Sequence, residues 1–141
     1  MTPQRYEDVR DIALSSDEAV LARVSDLIDR AFRRQVWLMF LVDEARQLPL
    51  LMPSYVPRRP EEGALAPFGE FIGGLFDEVA AASMVIVFER VGSDTISDGD
   101  REWFRLIHSA CVVENIPLRG PLLAHSRGIR WIAMEDYLIV D

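Results

Sequence analysis

The chain predicts an α/β (α+β) domain, a three-layer mixed sheet with flanking helices in the order α-β-β-α-β-α-β-β. Three observations predict it. Two apolar runs, QVWLMFLV at 35–42 and SMVIVFE at 83–89, have strand length and no polar alternation, so they read as strands covered on both faces. Two stretches, opening at Ser16 and at Ser97, carry apolar residues at helical spacing behind a serine N-cap. Helices and strands alternate along the chain, which calls for helices packed on a sheet.

Residues 1–15 are polar and mixed in charge and read as an arm, with 16–141 as a single globular domain. The first helix starts at Ser16, has Asp17 and Glu18 at its positive end, and carries Val20, Val24, Leu27, Ile28 and Ala31 as one stripe. Arg30, Arg33 and Arg34 suit its negative end, so it is expected to stop near Arg34. After the strand at 35–42, DEARQ reads as a hairpin turn and LPLLM as a return strand that Pro49 confines to an edge. PSYVPRRPEEG, residues 53–63, holds three of the eight prolines and reads as an exposed connection.

Residues 64–82 predict a helix with Leu65, Phe68, Ile72, Leu75, Phe76 and Val79 on one face. Gly73 and Gly74 in its middle each cost about 1 kcal/mol relative to alanine, which suggests close approach to a neighbouring strand. Ser97 followed by Asp100 nearly matches a capping box, and the helix runs on to about Glu114 with Trp103, Phe104, Ile107, Ala110 and Cys111 facing inward. IPLRGPLLAH and GIRWIA form a last strand pair around Ser126–Gly128, and EDYLIVD a short terminal element.

The charge narrows the function classes. At 141 residues, 50% hydrophobic and 27% charged, the chain is long enough for one ordered core. Its net charge of −8 disfavours nucleic acid or an anionic membrane as partner, because binding there rests on neutralising phosphates. All 15 basic residues are arginine, which excludes lysine Schiff bases and the P-loop. Cys111 is the single cysteine and cannot form an internal disulfide; with no apolar run of about 18 residues and an acidic start unlike a signal peptide, a cytoplasmic location is expected.

The motifs argue mostly by elimination. His108, inside a helix, and His125, at a strand end, are the two histidines; H-x-H, H-E-x-x-H and C-x-x-C are absent, so no zinc site and no cofactor is expected. There is no G-x-S-x-G elbow, and Cys111 on an apolar helix face reads as an inert small hydrophobe. The richest cluster is VFERVGSDTISDGD, where Glu89 and Arg90 end a strand, Asp94 follows in the loop, and Asp98 and Asp100 open a helix. Paired acids here could serve general acid–base work. The simpler account is that Ser97 caps the helix, Asp98 and Asp100 complement its dipole, and Glu89 pairs with an arginine at the sheet edge.

The run VWLMFLVDEARQLPLLMP, then a helix, then AAASMVIVFERVGSDTISDGDREWFRLIHSACVVENIPLRGPLL, resembles the RadC-like branch of the JAB/MPN (JAMM) fold over about residues 35–135. That family shows a strand leading into H-x-H-P, then a loop with S-x-x-D, a long helix and a further strand. Ser97 and Asp100 stand at the S-x-x-D, so the resemblance makes Asp100 the counterpart of a zinc-ligating aspartate. The two histidines fall on about Glu89 and Val91 and the proline on Gly92, and the Asp-His pair often found near the next strand falls on Arg119 and Gly120. The resemblance therefore implies a metal-free relative, Asp100 serving as a cap alone. The reading that follows is a non-catalytic protein-interaction or scaffold module with no catalytic residue, its binding cleft built from Glu89, Arg90, Ser93, Ser97, Asp100, Arg119 and His125. A second surface lies around Arg58 and Arg59. Its partner is expected to be a protein, a second copy through the N-terminal arm included. The alternative is a small metal-independent hydrolase using cleft carboxylates and His125.

Overall fold

Alternation along the strands decides how this molecule layers. A computed structural model describes residues 16–28, 31, 33–42 and 46–138, and within 46–54 the backbone only; the N-terminal arm and the turn at 43–45 lie outside the described residues. The elements run α1 (Asp17–Leu27), β1 (Gln35–Val42), β2 (Arg46–Tyr55), α2 (Leu65–Glu78), β3 (Ser83–Glu89), α3 (Asp98–Val113), β4 (Leu118–His125), β5 (Gly128–Trp131) and a 3₁₀ turn at Met134–Asp136. This is the order read from the sequence.

The five strands form one mixed sheet in the order β2-β1-β3-β4-β5. β1 runs antiparallel to both β2 and β3, β3 is parallel to β4 across α3, and β5 returns antiparallel. Both faces are covered, as the unbroken apolar runs require. On one face Met39, Leu41, Val85, Val87, Leu122 and Ala124 meet Val20, Val24 and Ile28 of α1 and its end. On the other, Val36, Leu38, Phe40, Met84, Ile86, Phe88 and Leu123 meet Ile72 of α2 and Trp103, Phe104, Ile107 and Ala110 of α3. Successive strand residues divide cleanly between the two cores, and each large side chain buried there contributes about 1.5–3 kcal/mol.

Several boundaries differ from the expectation. α1 ends at Leu27, not near Arg34; residues 31 and 33–34 are non-helical, and the Ala31 N–H bonds the His125 carbonyl at 2.9 Å, so tertiary pairing replaces the last helical turns. β2 is indeed the edge, but it continues through Tyr55, because Gln35 pairs with Tyr55 and Trp37 with Pro53 in the ladder. The exposed connection thus begins after Tyr55. Leu65, expected on the apolar face of α2, is 39% exposed, while Phe68, Leu75, Phe76 and Val79 pack on the core. Gly73 makes its close approach to a helix rather than a strand: a Cβ there would sit 2.8 Å from the Glu114 Oε1 at the end of α3, whereas one at Gly74 would meet nothing within 4 Å.

Candidate functional site

The loop between β3 and α3 begins where the pleat turns two neighbours to different sides. Glu89 stands opposite Gln35 in the β1–β3 ladder and shares the α1 face with Trp37. Its carboxylate is fully buried and accepts from Gln35 Nε2 at 2.8 Å, Trp37 Nε1 at 2.7 Å and the Arg33 backbone N–H at 3.2 Å. A buried carboxylate needs donors of this kind to offset lost hydration. Gln35 and Trp37 are the partners sequence reading missed. Their signal was present: a glutamine opening an apolar strand, with an indole two residues on and therefore on the same face.

Arg90 continues the ladder, donating its N–H to the Ala124 carbonyl at 3.0 Å, and its side chain turns to the α3 side. There it meets Asp100, with Nη2 at 2.8 Å and Nε at 3.2 Å from Oδ2 and Nε at 3.4 Å from Oδ1. Both side chains are buried, Arg90 at 7% and Asp100 at 2% exposure. Nη1 and Nη2 also donate to the Ser93 and Thr95 carbonyls, so one arginine organises the loop. Gly92, at φ +138°, lets the chain double back over that guanidinium, 3.3 Å from where its Cβ would stand. Its N–H and carbonyl bond Ser126, tying the loop to the β4–β5 turn.

Ser97 and Asp100 complete the capping box: Ser97 Oγ accepts from the Asp100 N–H at 3.1 Å, and Asp100 Oδ2 from the Ser97 N–H at 3.0 Å. Asp100 is thus not a cap alone; the same oxygen caps α3 and receives Arg90. Burial would raise its carboxyl, but the Arg90 hydrogen bonds and charge, with the Ser97 bonds, outweigh that and hold it below the ordinary carboxylate value.

The other expected members of the cleft are distributed more widely. Ser93 Oγ is taken by the Thr95 N–H at 3.2 Å, within the loop. His125 adjoins the loop at the end of β4, where its Nδ1 accepts from the Arg127 N–H at 3.2 Å. Burial, with Arg90, Arg130 and Arg127 nearby, keeps its imidazole below the ordinary value against the pull of Asp94. Arg119 does not join them. It pairs with Val85 near the start of β3, five residues before Arg90, or roughly 16 Å along a strand. Its guanidinium instead lies 3.8 Å from Asp17 at the start of α1. His108 contacts the Tyr137 hydroxyl through Nδ1 at 3.3 Å, and burial pushes the Cys111 thiol up to about 12, too high for a nucleophile. Among the described residues, no three His, Cys, Asp or Glu side chains are grouped to hold a metal ion.

The second surface is closer to this loop than its sequence separation suggests. Trp103 Nε1 donates to the Pro57 carbonyl at 2.9 Å, Arg59 Nη1 meets Glu102 at 2.8 Å, and the Arg58 carbonyl lies 2.8 Å from the Cβ position of Gly99. The two bonds hold the arginine-proline segment against the first turns of α3, and the lack of a side chain at Gly99 leaves room for the Arg58 carbonyl. A pocket of about 350 Å³ remains there, lined by Arg34, Arg58, Arg59, Ser97, Asp98 and Gly99. Arg34, expected at a helix end, stands instead just before β1, its guanidinium 5.9 Å from the centre of the Phe88 ring.

No protein-family model matches the chain, and no curated protein is significantly similar to it. Among the described residues no helix is long and apolar enough to cross a membrane.

Proposed function

We propose that this chain is a non-catalytic JAB/MPN-like module that acts by binding another protein. The observation that carries the reading is the Arg90–Asp100 pair. The JAB/MPN resemblance sets Asp100 at a zinc-ligand position and Arg90 between the two histidine positions. A guanidinium there supplies the positive charge a cation would supply, and it occupies both oxygens of the carboxylate. Glu89, at the first histidine position, accepts from Gln35, Trp37 and the Arg33 backbone. Two acids engaged in this way have little freedom to act as acid and base, which speaks against the hydrolase alternative.

The surface supports a binding role. Leu65 and Val113, 39% and 71% exposed, line a groove of about 500 Å³ between α2 and α3 together with Ala66 and Ala110, beside Glu70 and Glu114. Exposed apolar groups gathered around a groove are characteristic of protein-docking faces. Metal analysis of protein purified without chelator tests the reading: less than a tenth of an equivalent of zinc, on the order of background, is expected. One tightly held zinc per chain would overturn it.

A further inference from the structure

We infer that the pocket between Arg34, Arg58, Arg59 and the start of α3 is a binding site for a phosphate-class dianion. The arginines carry the argument. Of the charges around this pocket, Asp98 is engaged by Arg101 at 3.0 Å, Asp100 by Arg90 at 2.8 Å and Glu102 by Arg59 at 2.8 Å. Each acid thus has an arginine at ion-pair distance. Among the described residues Arg34 and Arg58 form no ion pair of their own, Asp100 acting on Arg34 only from farther off. Arg34 is half-buried against Phe88, and burial lowers its guanidinium pKa; the pull of Asp100 opposes this, while Arg58 and Arg90 repel it. On a chain of net charge −8, two such guanidinium groups facing one concavity are a local reversal of sign.

The chemistry of the site selects its ligand. Guanidinium groups form paired hydrogen bonds to planar or tetrahedral oxyanions, and two of them balance two negative charges. A phosphate group fits both the charge and the 350 Å³ volume, which is too small for an extended polymer. The positive end of α3 adds to the same field. The 57–59 segment is tied to α3 by the Trp103 indole on the Pro57 carbonyl and by Glu102 on Arg59. The group can come from free phosphate or from a phosphorylated side chain on a bound protein. This extends the binding reading above, but zinc content tests that reading and oxyanion titration tests this one, so either can fail alone.

The experiment is a calorimetric titration of the full chain at low ionic strength with inorganic phosphate, a phosphoserine peptide and its unphosphorylated form. Saturable binding of phosphate or phosphopeptide is expected. Arg58→Ala should weaken it at least about tenfold, or 1.4 kcal/mol, and Arg127→Ala, the same charge change on the β4–β5 turn, should leave it unaltered. Arg34→Gln should weaken it likewise, with circular dichroism establishing that the variant is folded. Phosphopeptide binding about tenfold or more tighter than phosphate assigns the group to a protein partner; equal affinity assigns it to a small molecule. Absence of saturable binding to both, or equal weakening by Arg58→Ala and Arg127→Ala, overturns the site.

Discussion

Arg90 and Asp100 form a buried ion pair in which the carboxylate oxygen gripped by the guanidinium also caps α3. The pair joins the end of β3 to the start of the helix that follows it, and it closes the loop between them through the Ser93 and Thr95 carbonyls. Removing one partner leaves the other charge buried and alone, at a cost of about 3–5 kcal/mol. Arg90→Met should therefore lower the free energy of urea unfolding by about that amount. In a double-mutant cycle with Asp100→Asn, the coupling should reach about 0.5–3 kcal/mol. Additive single effects would show that the two side chains do not depend on one another.

The same pair makes stability depend on acid. The Asp100 carboxyl is held below its ordinary 3.8, so its contribution is complete above that pH and declines as pH falls toward the lower folded value. His125 is held below 6.5, so it too favours the folded state above that value and loses its contribution on acidification. Unfolding free energy should fall in two steps as pH decreases. His125→Gln should flatten the step below 6.5 and Asp100→Asn the one below 3.8, as measured by denaturant titration across pH.

Glu89 gives a separate test on the α1 face. Its oxygens accept from the Gln35 amide, the Trp37 indole and the Arg33 N–H, and Glu89→Gln would turn a donor toward one of them. A loss of about 1–3 kcal/mol is expected, with a change in indole emission as Trp37 loses its partner. An unchanged midpoint and spectrum would show that the carboxylate is dispensable.

Gly74 should be improvable. It is exposed in the middle of α2, and a Cβ there meets nothing within 4 Å. Gly74→Ala is expected to raise stability by about 0.5–1 kcal/mol, through helix propensity and a less flexible unfolded chain. Gly99→Ala should act oppositely, since its Cβ would stand 2.8 Å from the Arg58 carbonyl. Thermal unfolding of the two variants against the parent checks both signs.

What the chain determined by itself is what contiguous residues can encode. The unbroken runs at 35–42 and 83–89 specified two buried central strands, and Ser97 with Asp100 specified the start of α3 to the residue, because burial periodicity and capping act within a few positions. The element order followed from them. Tertiary structure alone decided the partners. Gln35 reaches Glu89 across 54 residues, Arg90 meets Asp100 across a loop closed by backbone carbonyls, and Trp103 draws the Pro57 segment onto α3 from 46 residues away. It also ended α1 early, lengthened β2, and set Arg119 at the far end of β4 from the loop. The reason is geometric: strand register and the alternation of the pleat fix which side chains share a face, and no local pattern specifies the register between segments so far apart.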